Sequence, residues 1–305
     1  MKIYNSIEEF KKVKQAVVTI GTFDGVHIGH LKIISSLRKI ADDIDGETVL
    51  LTFSPHPRII LFSDTDLKLI NTKKEKIALL ENAGIDHLII HPFSREFSRL
   101  SSVEFVRDIL VNKIAVSRLV IGYNHHFGRN REGSFEHLKS YGPTYGFEVE
   151  EICAQDVRDV HVSSTKIRKA LEQGDIKSAK SYLTYDFPLT GIVVKGKHLG
   201  HQIGFPTANI KVLDENKLIP ANGVYAVRVM VRGEQKKGIL NIGVSPTIDG
   251  SEKTIEVHII DFDQVIYGEQ ITILFDYWIR AEQKFESVEA LKEQLMQDKS
   301  IRLNQ

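Results

Sequence analysis

Gly21-Thr22-Phe23-Asp24-Gly25-Val26-His27-Ile28-Gly29-His30 follows directly on the run Ala16-Val17-Val18-Thr19-Ile20, and its reading decides the fold of the first half of the chain. The apolar, β-branched run predicts a buried strand, and the glycine-rich stretch after it predicts a tight turn opening into a helix. Positions i and i+3 share a helical face, so His27 and His30 can address one spot. That spot is the helix N-terminus, where free backbone N–H groups and the helix dipole favour an anion. Gly21, Gly25 and Gly29 let a phosphate come close to the backbone. Imidazoles can stabilise charge on a reacting phosphate without a covalent step. Two other readings stay open: a tight turn with incidental histidines, or a zinc pair, which needs further ligands that the neighbouring sequence does not supply.

Working outward, β-rich runs at 17–20, 49–53, 87–91, 119–122 and 147–152 alternate with helix-period apolar spacing at 32–41, 73–83 and 103–111. This alternation predicts an α/β domain with a parallel sheet, whose ligands bind beyond the carboxyl ends of the strands, where 21–30 falls. Helices are expected at 164–173 and 176–182. After Tyr185-Asp186-Phe187-Pro188 the pattern changes to strands at 189–194, 223–231, 237–242, 254–260 and 270–277, with a closing helix at 288–298. Short antiparallel strands plus one helix predict a small β-barrel. The expected domains are 1–184 and 185–305, in keeping with a chain of 305 residues.

Forty basic residues balance forty acidic ones, so bulk charge points to neither nucleic acid nor a membrane surface. Apolar residues make up 42% and charged residues 26%, ordinary for a globular enzyme. Cys153 is the sole cysteine, which excludes an intrachain disulfide and a thiolate metal cluster. No apolar run approaches the ~18 residues of a membrane span, and the opening Met1-Lys2-Ile3-Tyr4-Asn5 lacks the apolar stretch of a leader. A cytoplasmic location is expected. A homo-oligomer is left open.

Three further segments of the first half carry chemistry. In Thr52-Phe53-Ser54-Pro55-His56-Pro57-Arg58, two prolines fix the backbone around His56, as a structural loop or as part of a site. In the segment from Gly122 to Gly133, Phe127 can stack on a planar ring while Arg129 and Arg131 can neutralise phosphate. Val162-Ser163-Ser164-Thr165-Lys166-Ile167-Arg168 predicts a capped helix start that again offers N–H groups to an anion, reinforced by Lys166 and Arg168.

The pattern G-x-F-D-x-x-H-x-G-H resembles the signature of the nucleotidyltransferase superfamily, whose members transfer a nucleotide from ATP or CTP with release of pyrophosphate. The resemblance implies a Rossmann-like domain, with Gly21, Thr22, Phe23, Asp24 and Gly29 binding nucleotide and His27 and His30 acting in catalysis. Residues 163–168 resemble the superfamily's second signature, which implies that Ser163, Ser164, Thr165 and Arg168 hold the ATP phosphates. Flavin adenylyltransferases carry a similar P-H-P segment and a G-x-D-F-x-F-G-x-x-x-x-G segment. These imply flavin contacts from His56, Pro57, Asn124, Phe127 and Arg129. Asn124 stands where Asp is usual and His125 replaces the first aromatic, so Asn124 does not carry over as a charged ligand.

Gly200-His201-Gln202-Ile203-Gly204-Phe205-Pro206-Thr207-Ala208-Asn209 is the key segment of the second half. The Thr207 hydroxyl and the Asn209 amide oxygen can face one Mg²⁺ as hard oxygen ligands, and Gly200 and Gly204 let ATP phosphates approach; read alone, residues 206–209 are equally a turn entering a strand. The segment resembles the P-T-A-N motif of riboflavin kinases, as do Glu256-Val257-His258 and Trp278-Ile279-Arg280-Ala281-Glu282 with Phe285. In that family the glutamate is the general base, which implies that role for Glu256, and Arg280 is placed against the isoalloxazine ring. Trp278 is expected to pack in the core. Gly191-Ile192-Val193-Val194-Lys195-Gly196-Lys197-His198 nearly spells a P-loop but lacks the final hydroxyl and reads as a strand, so it is rejected.

The two ordered blocks together resemble the prokaryotic bifunctional riboflavin kinase/FMN adenylyltransferase (FAD synthetase) family. The resemblance implies phosphorylation of riboflavin to FMN, then adenylylation of FMN to FAD, with ATP as co-substrate and Mg²⁺ as cofactor. The competing readings are a kinase with an impaired adenylyltransferase half, prompted by Asn124 and His125, and a non-catalytic flavin-binding or nucleotide-binding regulator.

Overall fold

The computed structural model describes residues 1–62, 66–122, 126–152, 162–196, 200, 203–247 and 250–304. The chain divides after Ser164 into two compact units, Met1–Ser164 and Thr165–Gln305.

The first unit is built on six strands: β1 (Lys2–Tyr4), β2 (Ala16–Ile20), β3 (Glu47–Ser54), β4 (His87–Pro92), β5 (Val116–Gly122) and β6 (Glu148–Ile152). They form one sheet in the order β1-β4-β3-β2-β5-β6, and every pairing is parallel. The sheet is buried on both faces, which is why its central strands read as unbroken apolar runs. Val18, Val49, Leu51 and Leu119 fill one core, while Val17, Leu50, Leu88 and Val120 fill the other. From β2 the chain winds first towards β4 and later returns to β5 and β6 on the other side. The carboxyl end of β2 is therefore the switch point at which such sheets bind ligands.

Four long helices cover the sheet faces: α1 (Ile28–Asp43), α3 (Lys73–Asn82), α4 (Ser102–Glu104, continuing through Phe105–Ile114) and α5 (Phe135–Tyr145), with the short α2 (Pro57–Leu61) after β3. α1 buries Ile34, Leu37 and Ala41, the stripe its spacing predicts. The expected 103–111 helix widens into π-type turns over Phe105–Ile114 and ends on Ala115 at φ 58. Its apolar positions Phe105, Val106, Leu110 and Ile114 all reach the core through that wider winding. α5 was not anticipated, because Gly142 and Pro143 interrupt its pattern.

α6 (Ser164–Glu172) begins on the last residue of the first unit, and α7 (Ile176–Leu183) follows it in the second. Its barrel strands are β7 (Pro188–Val194), β8 (Ala208–Lys211), β9 (Gly223–Val231), β10 (Glu234–Thr247), β11 (Gly250–Ile259) and β12 (Gln270–Arg280). They close in the order β10-β11-β8-β7-β12-β9 with antiparallel pairing. The terminal helix α8 (Val288–Leu303) is fastened to the barrel by ion pairs. Asp186 takes Lys180 of α7 and Arg228 of β9, and Asp276 of β12 takes Arg228 and the buried Arg302 of α8. Trp278 departs from its expected core position: it lies on the outer side of β12 and is 45% exposed.

Candidate active site

The loop leaving β2 is wound tightly. Phe23 and Val26 sit at φ 46 and φ 34, in left-handed conformations that side chains rarely adopt, with Gly25 at φ 91 between them. This winding delivers His27 to the N-cap of α1, where its Nδ1 accepts the His30 backbone N–H at 3.3 Å. In a neutral ring the proton then sits on Nε2, which is left as a donor. The two imidazoles stack with centroids 3.7 Å apart and planes 13° from parallel, and Phe23 packs on His30 at 4.8 Å. Parallel rings do not converge on one cation, which disfavours the zinc reading. Gly29 fits closely here: a Cβ would stand 3.2 Å from the His27 ring, which would have to give way by a few tenths of an ångström.

Burial pushes His27 down to about 4, with the Asp24 charge opposing the shift. Burial and its two neighbours, His27 and Lys76, push His30 well below the ordinary imidazole range. The Nδ1 atom of His30 is buried with no hydrogen-bond partner among the described residues.

Asp24 is 3% exposed, and its carboxylate accepts the backbone N–H groups of Ile70 and Asn71 at 3.0 and 3.3 Å. The carboxylate thus ties down the chain just before α3. From α3, Lys76 donates through Nζ to the Thr22 carbonyl at 3.0 Å, and Thr52 Oγ1 donates to the same oxygen at 3.2 Å. The start of α6 also arrives at this loop, with Ser164 Oγ donating to the Asp24 carbonyl at 2.9 Å. The two signature segments, 140 residues apart, therefore meet. Thr165 follows in the first turn of α6, and Arg168 is buried one turn further along.

His56 caps α2, its Nδ1 accepting the Arg58 N–H at 3.1 Å, with Pro57 in the first turn. Phe127, expected to offer a stacking face, is largely enclosed in this structure. Phe127 is 8% exposed, packs in the core against Phe105, and lies so close over Gly133 that a Cβ there would overlap its ring. Arg129 and Arg131 are exposed on the short turn that follows. Asn124, His125, Cys153 and the near-P-loop residues Lys197 and His198 lie outside the described residues.

In the second unit, strand pairing assembles the site. Along β11 the side chains of Ile255, Val257 and Ile259 point inward, which turns Glu256 and His258 to the outer face. Register places Glu256 between Asn209 of β8 and Asn241 of β10, so one carboxylate lies between two amides on that face. Thr207 Oγ1 donates to Glu256 Oε2 at 3.4 Å. His258 Nδ1 lies 2.8 Å from the Pro206 carbonyl, and since a carbonyl only accepts, that nitrogen carries the proton and the ring holds the turn before Thr207. Asn209 rests on Gly196, where a Cβ would meet the amide, so the glycine of the near-P-loop serves β8. The turn at Gly200 is closed by Phe205 N–H donating to its carbonyl at 2.8 Å, and Gly204 takes φ 84.

Arg280 is engaged by Asp298, a fully buried carboxylate on α8, through Nε at 3.1 Å and Nη2 at 2.8 Å, with its guanidinium 5.8 Å from the Phe285 ring. Sequence reasoning missed Asn241, His258, Asp298 and Lys76 as parts of these constellations. His258 lay inside a quoted motif and Asn241 did not, and only strand pairing shows that Asn241 faces Glu256.

A polarised loop at the switch point of a parallel sheet, joined to a barrel with a carboxylate between two amides, defines a class of enzymes that transfer phosphorus-containing groups. A family model described as FAD synthetase matches residues 9–166, and one described as riboflavin kinase matches residues 183–304. Proteins named bifunctional riboflavin kinase/FMN adenylyltransferase are similar over nearly the whole chain. The one from Escherichia coli strain K12 is 35% identical over 98% of this chain and 96% of its own. That from Haemophilus influenzae is 36% identical over 98% and 97%, and that from Listeria monocytogenes 37% over 92% and 90%. A crystal structure titled as a macrolide-efflux protein from Streptococcus pneumoniae superposes with a TM-score of 0.90 at 31% identity, covering 100% of this chain and 99% of that one. Among the described residues no helix is long and apolar enough to cross a membrane. The chain belongs to the bifunctional riboflavin kinase/FMN adenylyltransferase family.

Proposed function

We propose that this bifunctional riboflavin kinase and FMN adenylyltransferase runs its two steps at two separate constellations, one in each compact unit. The observation that carries this reading is that each set of motifs closes on itself: Ser164 meets the histidine loop in the first unit, and Thr207 and Asn209 flank Glu256 in the second.

In the kinase step Glu256 takes the proton of the ribityl 5′-hydroxyl as its oxygen bonds to the γ-phosphorus of ATP, and the bond to ADP breaks. Thr207 and Asn209 present neutral oxygens beside that carboxylate, a donor set that suits Mg²⁺. Bound there, Mg²⁺ would neutralise phosphate charge. Gly200 and Gly204 admit the ATP phosphates, and Arg280, held by Asp298, addresses the flavin. In the adenylylation step Gly21, Thr22, Ser163 and Ser164 frame the ATP phosphates, while the His27 and His30 rings donate to charge developing on the α-phosphoryl group. His56, Pro57 and Arg129 serve the flavin side. Asp24 and Phe23 act by shaping the loop, the first through its backbone clamp and the second through its packing on His30.

The functional boundary is placed at 184/185, supported by a riboflavin kinase match that begins at 183. The partners in this reading are riboflavin, FMN and ATP, with no nucleic acid or membrane, in a cytoplasmic enzyme. The test is chromatography of products from the full chain incubated with riboflavin, ATP and Mg²⁺. FMN followed by FAD is expected. FMN alone would favour the impaired adenylyltransferase, and tight flavin binding without either product would favour the regulator.

A further inference from the structure

The histidine pair leaves a charge problem. Two buried imidazolium ions cannot share a face-to-face stack at 3.7 Å, and burial already holds both rings towards the neutral form. Neutral rings offer N–H dipoles but no net charge. Adenylylation brings a phosphate monoester up to a polyphosphate, so a cation at the point of attack is worth more than any further dipole.

A cation reaches this loop from α3. Lys76 Nζ stands 3.0 Å from the Thr22 carbonyl, inside the loop that joins β2 to His27. Its placement is built rather than incidental. Asp24 clamps Ile70 and Asn71 immediately before α3, and Thr72 and Glu75 close a capping box that fixes the helix start. The same carboxylate therefore shapes the histidine loop and sets the position of the lysine. Burial lowers the Lys76 pKa while the Asp24 charge favours its protonated form, and the Lys76 charge is felt at His30. An ammonium group has three N–H donors, and among the described residues only one is taken, by Thr22.

We propose that Lys76 is a catalytic residue of adenylylation, its ammonium binding the non-bridging oxygens of the ATP α-phosphoryl group at the histidine loop. The proposal rests on the adenylylation reading given above. In the step it serves, an oxygen of the FMN phosphate bonds to the α-phosphorus, the bond to the β-phosphate oxygen breaks, and the electron pair leaves with pyrophosphate. No proton has to move. Lys76 acts on charge alone, which the transition state spreads over the α-phosphoryl oxygens and the leaving group.

The test compares Lys76→Met, Lys76→Gln and Lys76→Arg with wild type in the full chain. It measures kcat and KM for FAD formation from FMN and ATP, riboflavin phosphorylation in the same preparations, and the melting temperature. K76M is expected to lower the adenylylation kcat by about 100-fold while phosphorylation stays at the wild-type rate, and K76R is expected to recover much of the loss. K76Q keeps an N–H donor without the charge, so it reads the charge even if K76M is less stable, and it is expected to resemble K76M. Adenylylation within about threefold of wild type in K76Q, or K76R no better than K76Q, would overturn the role of Lys76 and leave the adenylylation reading standing. A wild-type protein that makes FMN but never FAD would overturn that reading and the proposal with it.

Discussion

His27 makes the stability of the first unit depend on pH. The residue is 6% exposed, and burial brings its pKa to about 4 in the folded chain, against 6.5 as a free imidazole. Between those two values the unfolded chain binds a proton that the folded chain refuses. Stability is therefore complete above pH 6.5 and declines as pH falls towards 4. A displacement of this size corresponds to about 3 kcal/mol. His30 shifts in the same direction, the Lys76 charge adds to its shift, and Asp24 offsets part of the effect at His27. Amide hydrogen exchange along α1 is the suitable measurement, because the single tryptophan, Trp278, belongs to the barrel unit. Protection of α1 is expected to weaken between pH 6.5 and 4.5, and His27→Gln should flatten the slope; equal slopes would contradict the assignment. His27 and His30 were legible because their spacing is local to one helix. Lys76 was not, since a helix starting at 73 reaches the loop only through the Asp24 clamp. Phe127 stands beside arginines in the sequence, and its burial shows only in the fold. Gly133 is what lets that ring turn into the core.

The strands of the parallel sheet were legible because burial on both faces writes itself as an unbroken apolar run, with the three-residue edge strand β1 too short to leave a pattern. The windings of α4 and the existence of α5 were not legible, since π-type turns shift the apolar period and Pro143 disguises a helix. In the barrel, β8 is four residues long and follows straight from the Pro206 turn, so the sequence shows a motif there without showing a strand. The function of that short strand depends on its neighbour. The His258 N–H on β11 holds the Pro206 carbonyl at 2.8 Å, and burial keeps the ring towards its neutral, single-donor form. His258→Phe keeps the packing on Phe205 and deletes the donor. One buried hydrogen bond is worth about 1 kcal/mol. The kinase rate should therefore fall by about fivefold to tenfold, mainly through KM for ATP, as Thr207 loses its fixed approach to Glu256. FAD formation from supplied FMN should be unchanged. An equal fall in both activities would assign His258 to general stability instead.

Two compact units carrying two constellations imply two activities that can be removed one at a time. The division of labour was legible from motif order alone. What the sequence did not show is how each constellation is wired: by the Ser164 hydroxyl on the Asp24 carbonyl in one unit, and by the register that sets Glu256 between Asn209 and Asn241 in the other. His30→Ala removes a donor from the stacked pair, which lies in the first unit. It should lower FAD formation by about 100-fold or more and leave riboflavin phosphorylation intact, so that FMN accumulates. Asn209→Ala removes one of the two amides beside Glu256. It should abolish FMN formation, yet FMN added from outside should still be converted to FAD at the wild-type rate. The pair of variants is more telling than either alone, since a change that only loosened the fold would depress both activities together. Steady-state rates for each half-reaction, measured on the same preparations, decide the matter: parallel loss in either variant would contradict two separate sites, and opposite losses require them.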